Sequence, residues 1–336
     1  MGNGIETTDR GIAMRAGQEK RNFGYGRQLS YAGPQALREL FGAGRYATVQ
    51  AHAERWQRFA DWCRSPQGPG CNDARQIDRD TLQHYAIHLR GEVEQGRLAI
   101  ATAQNRLSSV NRTLEALRGD HQVRLPSPSQ ALGLYRSTVR QAPPPGQDRA
   151  QLECLSQALH QQGHERVAAI VHLARETGMR LRETILADLS RLQREAEQHG
   201  RINIQDGTKG GRRGASAPRW IQATPSVRDA LRQAKEASPA GSRNLLAPYE
   251  RYVQFLDRQI RPARELLHEH GLKGFHDLRA AYACERYQQL TGSAAPVNGG
   301  RCADRALDRE ARQQLSQELG HHRIDVVAAY VGSLGR

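Results

Sequence analysis

The sequence predicts a mainly α protein in two parts: an all-helical N-terminal domain, then a mostly helical second domain carrying a small antiparallel β-sheet. Three observations carry this. Apolar residues recur at three- and four-residue spacing over much of the 336-residue chain, the pattern of helices with one buried face. The run Ala142-Pro143-Pro144-Pro145-Gly146 breaks that periodicity, because proline removes backbone donors and fixes φ. Two short apolar segments, Ile202-Asn203-Ile204 and Arg219-Trp220-Ile221, flank a glycine-rich turn and read as a strand pair.

Residues 1–40 mix glycine, arginine and polar side chains with little periodicity, and are expected to form a basic, partly disordered arm. From Thr48, expected as the cap, Val49, His52, Ala53, Trp56, Phe59 and Ala60 make one helical face. Asp78 opens a second helix with Leu82, Tyr85, Ala86 and Leu89 inward, and Thr102 a third through Leu107, Val110, Leu114 and Leu117. A fourth is expected over Ser129 to Val139. These four make a domain over residues 41–142, followed by a proline-rich linker at 143–150 and a second domain over 151–336. There, Val167, Ile170, Val171 and Ala174 form a helical face that Gly178 can end as a left-handed cap, leaving Arg180 just past the helix. After the strands, helices are expected around Val227 to Lys235, Tyr252 to His268, Leu278 to Leu290 and Asp304 to Leu319, with a last short one from Asp325 to Tyr330.

Net charge is +14, and 45 of the 49 basic residues are arginine. The excess is +7 on each side of Pro143, so the positive field is not confined to a tail. That distribution suits a protein that surrounds a polyanion, of which duplex DNA is the commonest. No stretch of eighteen apolar residues and no signal-peptide pattern is present, and a soluble cytoplasmic protein is expected. Cys63, Cys71, Cys154, Cys284 and Cys302 are odd in number without a close CxxC pair, against a disulfide framework or zinc ribbon.

Three local contexts concentrate chemistry in the second half of the chain: Thr177-Gly178-Met179-Arg180-Leu181-Arg182-Glu183, then His276-Asp277-Leu278-Arg279, then Leu319-Gly320-His321 with Tyr330 nine residues on. Together with Lys209 in the glycine-rich turn, they supply two guanidiniums, an ammonium, two imidazoles and a phenol. Such a set suits phosphodiester cleavage without a metal, because guanidiniums that never lose their protons can hold the equatorial oxygens of a phosphoryl group under attack. In these contexts the chain resembles the tyrosine recombinase, or phage integrase, family. The resemblance spans about residues 45–336, with the specific motifs in the second half.

That resemblance implies the fold of DNA breaking-rejoining enzymes and a role for each residue. Arg180 and Arg279 would grip the nonbridging oxygens of the scissile phosphate, and Glu183 would orient Arg180. Lys209 would protonate the departing 5′ oxygen, which a guanidinium cannot do near neutral pH, while Arg212 and Arg213 grip DNA phosphate. His276, one turn before Arg279, would accept or relay the tyrosine proton or bond a nonbridging oxygen. His321 would mainly hold phosphate, with His322 the alternative register, and Tyr330 would be the nucleophile that forms a 3′-phosphotyrosine link. Implied partners are duplex recombination sites, three further copies of the chain on synapsed DNA and an accessory directionality factor, in a bacterial nucleoid setting, serving integration or excision of a mobile element with neither metal nor ATP. The 41 residues between Arg279 and His321 are about twice the family's usual interval, with an added loop and helix over about 291–318. Six residues follow Tyr330, so exchange of a C-terminal tail between subunits is not expected.

Other functions compete. A type IB topoisomerase would use the same chemistry but rejoin a strand to itself, and a non-catalytic DNA-binding protein could share the fold. A metal-dependent nuclease could draw ligands from His268-Glu269-His270, although i, i+2 histidines do not share a helix face. A P-loop ATPase is disfavoured, because Lys209 precedes its glycine pair and no Walker pattern occurs.

Overall fold

In the computed structural model, residues 19–208 and 218–333 are described, and the chain divides into two compact units, Met1–Arg136 and Ser137–Arg336. The first is all-helical: α1 (Leu29–Phe41), α2 (Tyr46–Arg64), α3 (Arg79–Glu94), α4 (Ile100–Arg118) and the single turn α5 (Pro128–Leu132). Its core gathers the anticipated faces, with Trp56, Phe59, Leu82, Leu89, Leu107 and Leu114 fully buried.

Several boundaries differ from expectation for local reasons. Asp78 does cap α3, its carboxylate accepting from the Thr81 amide at 2.8 Å. Helix α2, however, starts at Tyr46 ahead of Thr48, and α4 starts at Ile100 ahead of Thr102. The fourth expected helix ends at Leu132, because Gly133 turns left-handed there. The largest difference lies in the expected arm, whose residues from 29 on belong to α1, with Leu29, Ala32, Ala36 and Leu37 buried. Gly33-Pro34 hides that helix from a periodicity reading. Gly33 is required by packing: a Cβ there would lie 2.2 Å from Nε1 of Trp56, whose indole N–H donates to Leu29 O at 2.8 Å. Asn22 then ties the chain before α1 to the loop after α2, accepting from the Ala74 amide at 2.7 Å while its own amide donates to Asp73 at 2.9 Å.

The second unit runs α6 (Arg149–Gln161), α7 (Glu165–Thr177), α8 (Leu181–Leu186), α9 (Leu189–His199), β1 (Arg201–Asn203), β2 (Trp220–Gln222), α10 (Pro225–Ala237), α11 (Tyr252–Phe255), α12 (Arg261–Glu269), α13 (Phe275–Thr291), α14 (Arg305–Glu318) and α15 (Ala328–Val331). One π-helical turn, Leu256–Ile260, joins α11 to α12. The strands pair antiparallel with Ile202 opposite Ile221, both buried. Helix α7 is buried along Val167, Ala168, Ala169, Ile170 and Val171 and packs on α6, α10 and α13. The proline segment belongs to this unit: Pro144 and Gly146 are buried, and Gly146 O accepts from Arg175 Nε at 2.9 Å. With one carbonyl held by a buried guanidinium, residues 143–150 are not a free linker.

Among the described residues no helix is long and apolar enough to cross a membrane, and no three His, Cys, Asp or Glu side chains group as a metal cage. All five cysteines are free thiols, four of them buried and Cys154 exposed.

Candidate active site

Gly178 ends α7 in the left-handed conformation (φ +62°) expected of it. A side chain could not replace it, since a Cβ would lie 2.5 Å from the Tyr282 ring. The chain then extends through Arg180, which caps α8. Glu183, one turn on, accepts from both the Arg180 amide and Arg180 Nη1 at 2.7 Å. Its carboxylate is fully buried, and burial alone would raise its pKa. The cations Arg219, Arg180 and Arg279 outweigh that and hold it below the ordinary carboxylate range.

Arg279 lies one turn into α13 after His276, with no solvent exposure. Its Nε donates to the Tyr330 hydroxyl at 3.2 Å, Nη1 to Gly178 O, and Nη2 to Leu319 O and to His321 Nε2, the last at 3.2 Å. Burial, then repulsion from Arg219, brings this guanidinium's pKa down to about 10, so it stays charged at neutral pH. The Tyr330 hydroxyl is also 2.9 Å from His321 Nε2. A guanidinium can only donate, so Nε2 of His321 is the acceptor and its proton sits on Nδ1. The phenol therefore accepts from Arg279 and donates to His321.

His321 is kept neutral by burial and by Arg279, Arg180 and Arg219, which lower its pKa to about 4. The His276 ring also lies against the phenol, ring centroids 5.3 Å apart. Partial desolvation against that ring and the charge of Arg279 lower its pKa as well. An imidazole nitrogen and a guanidinium N–H thus both meet the phenol's oxygen, with a second imidazole against the ring. Such an arrangement can bind a phosphate oxygen and offers a nitrogen that can accept the phenolic proton.

The structure thus brings together Arg180, Glu183, His276, Arg279, His321 and Tyr330. It divides the expected two-guanidinium clamp: Arg180 keeps 27% of its side-chain surface exposed, whereas Arg279 spends its hydrogen bonds on the phenol, His321 and two carbonyls. His321, expected mainly to hold phosphate, is the imidazole bonded to Tyr330. His322 is exposed, has φ +55°, and lines a separate polar groove with Trp220 and Gln317. Lys209, Arg212 and Arg213 lie outside the described residues. The segment that follows β1 closes against α8, where a Cβ on Gly207 would lie 2.5 Å from Arg182 O.

One residue was not anticipated. Arg219, immediately before β2, is 3% exposed. It donates to Glu183 Oε2 at 2.7 Å, to Gly178 O at 3.3 Å and to Glu318 O. It thereby ties together the turn bearing Arg180, the end of α14 that precedes His321, and the buried carboxylate. A signal did exist: with a strand period of two, Arg219 shares the inward face of Ile221, and a core-facing arginine needs a buried partner.

Comparison with known proteins gives the same architecture. A family model for integrase matches residues 138–285, which supports the resemblance drawn from the motifs. Three solved structures, all under 25% identical, share the fold. The Tn1549 transposon integrase in complex with transposon right end DNA is 14% identical, covering 92% of this chain and 96% of that one at a TM-score of 0.59. A lambda integrase tetramer bound to a Holliday junction is 17% identical, covering 85% and 72% at a TM-score of 0.51. The XerH site-specific recombinase bound to difH is 16% identical, covering 88% and 81% at a TM-score of 0.51. A search of curated proteins finds no match.

Proposed function

We propose that this chain, whose residues 138–285 match the integrase family on the tyrosine recombinase fold, is a site-specific DNA recombinase acting through a 3′-phosphotyrosine intermediate. One observation carries the reading: the Tyr330 hydroxyl lies 2.9 Å from an unprotonated imidazole nitrogen and 3.2 Å from a buried guanidinium contributed from 51 residues away. A tyrosine that served only as core packing would not need a guanidinium and an imidazole on its hydroxyl and a second imidazole against its ring.

Tyr330 Oη attacks the scissile phosphorus and the bond to the 5′ oxygen breaks. The phenolic proton passes to His321 Nε2, the acceptor it already faces. Arg180, the more accessible guanidinium, takes the nonbridging oxygens, with His276 beside it. Arg279 stabilises charge on the tyrosine oxygen, and Glu183 and Arg219 hold the guanidiniums in place. Lys209 protonates the leaving 5′ oxygen, while Arg212 and Arg213 grip the flanking backbone. A 5′ hydroxyl from a second strand then attacks the phosphotyrosine, restoring Tyr330 and the phosphodiester.

By analogy with relatives held on DNA, the partners are duplex recombination sites, with four copies assembled on two of them and an accessory factor biasing direction. The role is movement of a genetic element in a bacterial cell. Phosphate contacts by so arginine-rich a protein make affinity fall steeply with salt.

The test is covalent capture on nicked duplex sites, compared between wild type and Tyr330→Phe. A protein-linked 3′ end in the first and none in the second is expected, with DNA affinity within about fivefold, since one hydroxyl is worth only ~1 kcal/mol. A linkage surviving in Tyr330→Phe sinks the assignment of the nucleophile. Joining of two different duplexes distinguishes recombination from topoisomerase-like rejoining of one strand.

A further inference from the structure

Tyr330 sits on α15, four residues long, too short to define its own place. What fixes it is the segment between Arg279 and His321 that lengthens this chain. Within that segment, the turn Pro296–Asn298 and helix α14 meet the chain directly behind the phenol. Gly332 leaves α15 with φ +79°, and a Cβ there would lie 2.8 Å from Val297 N. Arg312 on α14 donates from Nη1 to Gly332 O at 3.1 Å. Its Nε is held 3.0 Å from both carboxylate oxygens of Asp308, and its guanidinium stacks 5.7 Å over the Tyr287 ring, whose hydroxyl also donates to Asp308. This guanidinium is only 11% exposed, so it is fixed by the core rather than by solvent. At the other end of α15, Ala328 O accepts from the Arg140 amide at 3.0 Å. Nine residues beyond Arg312, the same polypeptide supplies His321, the phenol's proton acceptor.

We propose that Arg312 is a positioning residue for Tyr330. Held by Asp308 and Tyr287, it pins the exit of α15 against Val297, and so keeps the hydroxyl in register with His321 and Arg279. The added segment is then part of the catalytic apparatus, ordering the nucleophile from within its own chain. This rests on the reading of Tyr330 as the nucleophile. A displacement of about 1 Å in a reacting group costs on the order of 100-fold in rate, so losing the anchor slows attack without touching DNA binding.

The experiment uses the full chain on a nicked duplex site at saturating protein, measuring the single-turnover rate of covalent linkage, the DNA dissociation constant, and amide exchange over residues 328–333. Arg312→Met keeps the apolar stem and removes the donors. It is expected to slow linkage at least 10-fold, leave affinity within twofold, and speed exchange in that segment alone, with Arg312→Lys recovering part of the rate. Val297→Gly, which loosens the same exit while sparing the ion pair, should act in the same direction and decides the matter should Arg312→Met fold poorly. Wild-type rates and exchange in both variants, or a rate loss matched by equal losses of DNA affinity and of protection across the unit, overturn the proposal. If wild type forms no linkage at all, the recombinase reading fails, and exchange over 328–333 still reports whether Arg312 orders α15.

Discussion

Replacing Arg219 with methionine tests whether the cationic pocket is a single network. The substitution keeps most of the stem's volume and removes every donor. Three acceptors lose a partner: Glu183 Oε2, Gly178 O and Glu318 O. Breaking a buried ion pair by removing one member costs ~3–5 kcal/mol. Glu183 keeps both of its bonds from Arg180, which places the loss at the lower end, about 3 kcal/mol, with Glu318 O left without its donor and Gly178 O held by Arg279 alone keeping it from being smaller. For a unit of this size 1 kcal/mol shifts the midpoint ~2–4 °C, so thermal unfolding should move down by roughly 6–12 °C. Denaturant unfolding gives the free energy, and covalent capture at a temperature where the variant is folded gives the chemistry. Capture should fall at least as far as for a misplaced reacting group, ~10²-fold, because the backbone at Glu318 is released just ahead of His321 and Glu183 loses one of its two cations. Arg201→Met serves as the control, since that arginine lies over Trp220 on the exposed side of the hairpin. A loss under about 1 kcal/mol with normal capture would refute the idea that Arg219 joins the two halves of the pocket.

Two further outcomes follow from the same geometry. His321 titrates near 4 in the folded chain against 6.5 ordinarily; its contribution to stability is complete above pH 6.5 and is lost as pH falls toward 4, because only the unfolded chain takes up the proton in that window. Wild type should therefore lose stability more steeply than His321→Asn between those pH values, and equal slopes in the two melting series would contradict it. Gly178→Ala combines a left-handed φ with a Cβ 2.5 Å from Tyr282, so a loss of about 2 kcal/mol or more is expected from strain and overpacking; a variant as stable as wild type in urea unfolding would show that the turn relaxes freely.

Much of this protein was legible in the order of its residues. Helix faces such as Trp56-Phe59-Ala60 and Leu107-Val110-Leu114 follow from spacing alone, as do the Asp78 cap, the Gly178 stop and the strand pair around the glycine-rich turn. Arg180, Glu183, His276, Arg279, His321 and Tyr330, singled out from three local contexts, do come together in the fold. What local pattern could not supply were interactions between distant segments. Helix α1 was missed since Gly33-Pro34 makes sense only against Trp56, and the proline segment read as a linker until Arg175 took its carbonyl. The division of labour between Arg180 and Arg279, the choice of His321 over His276 as the phenol's partner, and the parts taken by Arg219 and Arg312 depend on which donors meet which acceptors once water is excluded. A sequence fixes which groups are available along the chain; burial decides which of them must pair, because an unpaired charge or carbonyl is costly only after folding has removed its solvent.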